Sequence, residues 1–210
     1  PSSFNMMTVA IGIFILTYYV GKFGAEAVAA YGIAVRIEQI ALLPSIGLNI
    51  AALSLVGQNN GAGRIDRVRE TIRVCLKYGL YTFIVGLAFI FLFSSTLIKT
   101  FTTDTKVILL GTQYLHIAIF IFMAYVILFV GGSALQGIKR PAQALWLGLA
   151  RQIILPLIIF TITIEYLNFG LTSIWWGMFF VNWLTALVSL KIVNHNLKKR
   201  EEEILLSSRQ

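Results

Sequence analysis

The sequence predicts an all-α integral membrane protein with six transmembrane helices, and three observations support this fold class. First, 58% of the residues are hydrophobic and only 12% are charged, whereas soluble domains carry about 25% charged residues. Second, the apolar residues are concentrated in blocks long enough to cross a bilayer. Third, lysine and arginine are concentrated in alternate loops between these blocks, as an alternating series of spans requires.

Each of the six apolar blocks provides, or nearly provides, the ~20 residues that a helix needs to cross a bilayer. The blocks lack the alternation of polar and apolar residues that marks the strands of a membrane barrel. We predict that residues 1–195 form one six-helix lobe and that residues 196–210 form a charged cytoplasmic tail. The predicted spans are residues 4–21, 32–56, 76–98, 110–135, 142–164 and 171–193.

The basic residues predict the orientation of the chain in the membrane. Of the 17 lysines and arginines, thirteen lie in or near the loops after the second and fourth spans and in the C-terminal tail. Cytoplasmic loops carry an excess of these residues, so we expect a multi-pass protein of the cell (inner) membrane with both ends cytoplasmic. The net charge of +8 then reflects topology, and we predict no nucleic-acid partner. The basic residues expected on the outer side are Lys22, Arg36, Lys99 and Lys106.

Two aromatic pairs lie at the predicted outer ends of spans. Tyr18 and Tyr19 end the first span, and Trp175 and Trp176 open the sixth. Amphipathic aromatic side chains favour the interface between membrane and water, so we predict that both pairs lie at the outer surface.

Two prolines are expected to bend their helices. Pro44 lies inside the second span and Pro156 inside the fifth. A proline inside a helix has no N–H to donate, so it frees a carbonyl and produces a kink.

The basic segment after the second span has its own pattern. Residues 64–73, RIDRVRETIR, place apolar side chains at helical spacing, with charges at the other positions. We predict a short amphipathic helix that lies along the cytoplasmic interface. The charged residues from Lys198 onward are expected to form a frayed extension.

Residues 55–64, LVGQNNGAGR, resemble a phosphate-binding loop only superficially. Such a loop follows a strand and ends in lysine followed by serine or threonine, but here Gly63 is followed by Arg64 and Ile65. We therefore predict the end of a helix and a turn, for which glycine and asparagine are suited. The residues assigned to this structural turn are Gly57, Gln58, Asn59, Gly61 and Gly63.

Ionisable residues within the spans are functional candidates, because a charge at membrane depth is costly. Glu38 lies about 9 Å of helix before Pro44, and it fits either a proton or cation site or a structural acid that bonds a neighbouring helix. Arg36 is two positions away, so it points to the opposite side of the helix. The other polar residues in the spans include Asn5, Gln39, Asn49, Gln113, His116, Arg151, Gln152 and Asn182.

The spans contain no combination of residues that indicates catalysis or metal binding. The 2 histidines lie far apart, and Cys75 is the single cysteine, so the chain cannot form an internal disulfide or a local metal motif. No histidine accompanies a buried acid, and no serine accompanies a base, as a membrane hydrolase would need. We predict that the protein is not an enzyme and that it moves a compound across the membrane.

Three stretches give the chain a family resemblance. They are FGAEAVAAYGIAVRIEQ at 23–39, LPSIGLNIAALSLVGQNNGAG at 43–63 and GGSALQGIKRP at 131–141. On these stretches, residues 1–195 resemble the C-terminal half of the multidrug and toxic compound extrusion (MATE) transporters. The chain begins at Pro1 rather than methionine, which agrees with an internal start.

The resemblance implies a twelve-helix transporter with two six-helix lobes related by a pseudo-twofold axis, around a cavity that opens alternately to each side. It implies multidrug efflux, that is, export of small amphipathic organic cations by antiport against H⁺ or Na⁺, without another cofactor. The implied partners are the lipid bilayer and an N-terminal six-helix half of the same polypeptide. The alternative is a related flippase for lipid-linked oligosaccharide or polysaccharide, which would need a more cationic cavity.

Two positions depart from one branch of the family. Where some members carry a glutamate in the first helix of this half and an aspartate in the fourth, this chain has Val9 and Tyr125. The resemblance therefore implies that the coupling carboxylate lies in the N-terminal half. In this lobe, we expect the substrate or ion pathway to include Glu38, Arg36, Asn5, Asn49 and Tyr125.

Overall fold

The computed structural model describes the backbone of residues 2–207 and the side chains of residues 7–204 and 206. The described part of the chain is helical and contains no strand, which confirms the predicted fold class. Five of the helices are long and apolar enough to cross a membrane, and the described apolar part of the first helix, Met7–Gly21, is shorter. The six helices are α1 Ser2–Gly21, α2 Ala25–Gly61, α3 Ile65–Lys99, α4 Thr105–Gly137, α5 Pro141–Tyr166 and α6 Thr172–Ser207.

Helix α4 is the centre of the lobe. It packs against α2, α3 and α6, while α1 packs on α5 and α2 at the side. The most apolar 18-residue stretch of α4 is 61% buried, whereas those of the other four long helices are 39% buried or less. The core around α4 includes Tyr114, Leu115, Ala118, Ile119 and Phe122.

The helices extend beyond the predicted spans, and two predictions about their ends are wrong. Residues 64–73 do not form a separate interfacial helix, because α3 runs without a break from Ile65 to Lys99. The apolar side chains of that segment, Ile65 and Val68 among them, share a buried cluster with Leu197 of α6. The packing of this cluster favours a continuous α3 over a helix lying flat on the membrane.

The charged tail is likewise helical rather than frayed as far as the structure describes it, since α6 continues to Ser207, and residues 208–210 lie outside the described residues. Its acidic residues bind arginines of other elements. Arg69 of α3 contacts Glu201 at 2.7 Å, and Arg140, before α5, contacts Glu203 at 3.3 Å. Each exposed pair contributes little alone, but together they hold the end of α6 against α3 and the loop between α4 and α5.

Ion pairs also join elements at the opposite end of the lobe. Lys22, after α1, pairs with Glu165 near the end of α5, and this hydrogen bond raises the pKa of the lysine. Lys106, at the start of α4, contacts Glu26 of α2 at 3.1 Å. The described ion pairs therefore lie toward the helix ends, where water solvates the charges and the cost of placing them at membrane depth is avoided.

Only one member of each aromatic pair is exposed. Tyr18 and Trp176 are exposed, but Tyr19 and Trp175 are buried in the lobe, so these two do not lie at its surface. Successive residues of a helix point about 100° apart, so one member of a pair can face the lobe while its neighbour faces outward. The Tyr19 hydroxyl instead lies 2.8 Å from the Thr161 hydroxyl of α5.

The two prolines have different surroundings. Helix α2 continues through Pro44 without interruption. In α5, Pro156 follows a π-helical turn, Ala150–Ile154, and it leaves the Gln152 carbonyl without its usual N–H donor. A Cβ at Gly12 of α1 would lie 2.9 Å from that carbonyl oxygen, so a glycine is needed where α1 crosses it.

The glycine-rich stretch begins inside α2 and turns at only one of its glycines. Gly57, Gln58, Asn59 and Gly61 are all helical, contrary to their assignment to a turn. Gly63 alone has a left-handed φ, +70°. The Arg64 N–H donates to the Asn59 carbonyl at 2.9 Å, and the Gly63 N–H donates to the Asn60 carbonyl at 3.2 Å. These bonds form a Schellman motif, which satisfies carbonyls at the helix end and removes any need for a longer turn.

We expect Gly63→Ala to lower the stability of the full-length protein by about 1 kcal/mol, because a side chain is disfavoured at this φ. Gly61→Ala is a matched control, since Gly61 is helical and a Cβ there meets nothing within 4 Å. That control should be neutral or stabilising by up to about 1 kcal/mol. Thermal unfolding in detergent measures both, and equal losses in the two variants would contradict the assigned turn.

Candidate functional site

A buried carboxyl group lies between α2 and α4. Glu38 is 5% exposed, and one of its carboxyl oxygens, Oε2, accepts a hydrogen bond from the Tyr114 hydroxyl at 2.7 Å. Its other oxygen, Oε1, is buried and has no hydrogen-bond partner among the described residues. An unpaired buried carboxyl oxygen is costly, so this position is suited to binding a cation or a proton.

Aromatic rings surround this carboxyl group. The Tyr114 ring lies 5.5 Å from the Tyr31 ring and 4.9 Å from the Trp175 ring, measured between centroids. Tyr31 and Trp175 are stacked at 6.0 Å. This packing connects α2, α4 and α6 and excludes bulk water from Glu38.

Arg151 lies in the π-helical turn of α5. Its Nη1 donates to Oδ1 of Asn182 in α6 at 3.1 Å, and its guanidinium carbon lies 5.6 Å from the centre of the Tyr125 ring in α4. A guanidinium over an aromatic face is a favourable cation–π arrangement. The sequence placed Arg151 in the fifth span but did not include it in the pathway, because its partners lie in other helices.

Two of the cavities on the lobe differ in character. The larger, about 600 Å³, lies between α2 and α3, and its lining is apolar apart from Tyr81, Thr82 and Thr100. The smaller, about 320 Å³, has several convergent polar groups, which is the usual character of a small-molecule site. It is lined by Val9, Asn49, Leu128, Phe129, Gly132, Ser133, Gln136, Pro141, Ala144, Leu145, Leu147, Gly148, Arg151 and Ser189.

The structure brings together some of the predicted pathway residues. Asn49 lines the smaller cavity and accepts a hydrogen bond from Ser133 on its backbone carbonyl at 2.9 Å, while its side-chain oxygen also contacts that hydroxyl. Tyr125 contacts Arg151, which lines the same cavity. Arg36 is exposed and separated from buried Glu38, as their spacing predicted. The side chain of Asn5 lies outside the described residues.

Asn60 is a structural residue that the sequence did not single out. It is 2% exposed, and its side-chain amide donates to the Gly137 carbonyl at the end of α4 at 3.2 Å. Its side-chain oxygen accepts from Nε of Arg200 in α6 at 3.1 Å. Asn60 therefore joins three helix ends, while the side-chain amide of its neighbour Asn59 donates to the Leu55 carbonyl of its own helix, one turn back, at 2.8 Å.

No metal-binding cluster of three or more histidine, cysteine or acidic side chains occurs in the part of the chain that the structure describes. His116 lies 3.0 Å from the Ser94 hydroxyl, between α4 and α3. His116 therefore connects α4 to α3.

Comparison with known proteins gives the family. The model of the MatE family matches residues 1–162. The chain belongs to the MatE family. A solved structure, the outward-facing conformation of a multidrug resistance MATE family transporter of the MOP superfamily, matches 96% of this chain with a TM-score of 0.89. That structure is 21% identical and shows the fold alone, and this MatE chain covers 46% of its length.

Curated relatives are similar to this MatE chain over shorter parts of their length. The probable multidrug resistance protein NorM of Thermotoga maritima is 27% identical over 85% of this chain and 38% of its own length. The FAD transporter of Shewanella oneidensis is 28% identical over 63% of this chain and 29% of its own length. The chain thus spans less than half the length of these relatives.

We expect Tyr114→Phe to destabilise the full-length protein by about 1–3 kcal/mol, because it removes the hydrogen bond to a buried carboxyl group. Tyr31→Phe is the matched control, since Tyr31 contributes ring packing in the same cluster but no hydrogen bond among the described residues. Chemical unfolding in detergent compares the two variants. A Tyr31→Phe loss as large as that of Tyr114→Phe would argue against the importance of the Glu38 bond.

Proposed function

We propose that this chain is the C-terminal six-helix lobe of a secondary active multidrug exporter. The whole protein antiports amphipathic compounds, cationic ones among them, against H⁺ or Na⁺ by alternating access. The observation that carries this proposal is the buried Glu38, with its unpaired Oε1, in a lobe of the MatE family. The names of the relatives, which include multidrug resistance and FAD transporters, support transport as the activity.

The arrangement of the lobe supports alternating access in physical terms. Helices α1 and α5 pack at the side of the α2–α3–α4–α6 group, and α5 contains two π-helical turns rather than regular α-helix throughout. Such turns are frequently found at functional sites. Movement of α1 and α5 relative to the rest would change access to the smaller cavity, because both helices line it. The N-terminal half is proposed to supply the other wall of the pathway and the main coupling carboxylate.

The flippase alternative is the weaker proposal. A pyrophosphate headgroup calls for several cationic groups, and Arg151 is the one charged residue among the described residues that line the smaller cavity. The larger cavity has no charged lining residue in the described part of the chain.

Cells that express the full-length protein should accumulate less ethidium, a cationic dye, than cells without it. Collapse of the proton and sodium gradients should restore accumulation, because the export energy comes from the inward flow of the coupling ion. Dye fluorescence measures the effect over time. Export that continues when both gradients are absent would exclude ion coupling.

Glu38→Gln should lower the initial rate of this export by about tenfold while expression stays unchanged. A tenfold loss corresponds to the free energy of about one hydrogen bond to a charged group. Exposed Glu202 on the end of α6 offers the control variant Glu202→Gln, which should export normally. A Glu38→Gln protein with a normal rate would assign Glu38 a structural role or none.

We also propose a cell-membrane location with the α2–α3 turn in the cytoplasm. Ala62 in that turn and Thr103 before α4 are both exposed, and the native Cys75 is buried. In Cys75→Ala protein, a cysteine at Thr103 should react with an impermeant maleimide added outside cells, and a cysteine at Ala62 should react only after permeabilisation. The reverse labelling pattern would invert the proposed topology.

A further inference from the structure

The smaller cavity has the chemistry of an anion site. Its polar lining residues are Asn49, Ser133, Gln136, Arg151 and Ser189, and no aspartate or glutamate occurs among its described lining residues. Four of these side chains are neutral hydrogen-bonding groups, and the fifth carries a permanent positive charge. A cationic ligand in this cavity would meet Arg151 without a lining carboxylate to offset the repulsion.

Arg151 forms no direct ion pair with a described carboxylate, although Glu38 acts on it electrostatically at longer range. Its hydrogen bond goes to the neutral amide of Asn182, and its other contact is the face of Tyr125. A guanidinium has five N–H donors, so this arrangement leaves donors available to a ligand. Because a charge without a direct ion-pair partner is costly at membrane depth, binding of an oxyanion there would be favourable.

Ser189 is a second and independent indication of a ligand. It is 1% exposed, it lines the cavity, and its hydroxyl has no hydrogen-bond partner among the described residues. A buried hydroxyl without a partner costs stability. Ser189 lies on α6 and Arg151 on α5, so two helices each present an incompletely used polar group to the same cavity.

The rest of the cavity is apolar and suits the body of an organic molecule. Aliphatic and aromatic side chains from α1, α4 and α5 form this part of the wall. These residues are Val9, Leu128, Phe129, Leu145 and Leu147. A hydrophobic wall beside an arginine favours an amphipathic anion over a small inorganic one, because only the former buries apolar surface on binding.

We propose that this cavity binds amphipathic organic anions, with the carboxylate or phosphate oxygens on Arg151 and Ser189 and the apolar body against α1, α4 and α5. This inference rests on the proposed function and extends its substrates beyond cations. Arg151 supplies charge and hydrogen-bond donors, and Ser189 supplies one further donor. Charge-assisted hydrogen bonds of this kind are the strong ones.

The test compares two ligands that differ in charge at one group. Dansyl-phenylalanine carries a carboxylate, and its methyl ester is neutral. Each is titrated against the full-length protein in detergent without an ion gradient, and dansyl fluorescence gives the dissociation constant. The acid should bind about tenfold more tightly than the ester, and millimolar inorganic phosphate alone should not displace it. Equal binding of acid and ester would overturn the proposal, and so would full displacement by phosphate.

Variants then test which residues cause the preference for the acid over the ester. Arg151→Gln should weaken binding of the acid about tenfold and change binding of the ester less than about threefold, because only the acid uses the charge. Arg151→Lys should retain part of the preference. The exposed Arg73 provides the control variant Arg73→Gln, which should bind both ligands normally. Equal weakening of acid and ester by Arg151→Gln would mean that Arg151 only shapes the cavity.

Ser189→Ala keeps the proposal testable if Arg151→Gln does not fold. It removes one unpaired hydroxyl, so the protein should remain folded and bind the acid about fivefold more weakly, with the ester unchanged. Unchanged acid binding in Ser189→Ala, without a folded Arg151→Gln protein, counts against the site.

The binding assay uses no gradient, so a clear acid preference without gradient-driven export would refute the proposed function alone. Gradient-driven export without any acid preference would refute this inference alone.

Discussion

The absence of hydrogen-bond partners in lipid is the constraint on which the rest of this structure depends. Each polar group at membrane depth must be satisfied within the protein, and long uninterrupted helices satisfy their backbone groups. The ends of the helices need other partners. Gly63 closes α2 with a Schellman motif, and Asn60 then joins that end to Gly137 of α4 and Arg200 of α6. The same residues that end the helix thus hold the helices of the lobe together.

The candidate site lies where regular helical hydrogen bonding is interrupted. In α5, Pro156 interrupts regular hydrogen bonding after a π-helical turn, and Gly12 of α1 allows close approach to the freed carbonyl. That turn carries Arg151. Nearby groups such as Glu38 Oε1 and Ser189 Oγ are buried without partners among the described residues. Unsatisfied polar groups cost stability, and in the proposed exporter these groups would be available to bound ions and substrates.

Much of the fold followed from the sequence, while the site followed only in part. Hydropathy predicted the spans and the fold class, and the spacing of Arg36 and Glu38 predicted that they face opposite sides. Trp175 was predicted to be interfacial, but it stacks on Tyr31 in the core. The charged tail was predicted to fray, but its glutamates pair with Arg69 of α3 and other arginines. Both of these errors concerned a partner distant in sequence, which local pattern does not reveal.

The sequence by itself determined that this chain is a six-helix membrane lobe, because span length, apolar composition and basic loops act locally along the chain. It also identified Glu38 as a buried-acid candidate. Only the tertiary structure decided which polar groups share a cavity. Arg151 and Asn182 are 31 positions apart, and Asn60 and Arg200 are 140 positions apart. Their contacts depend on how the helices pack around α4, so no local pattern could specify them.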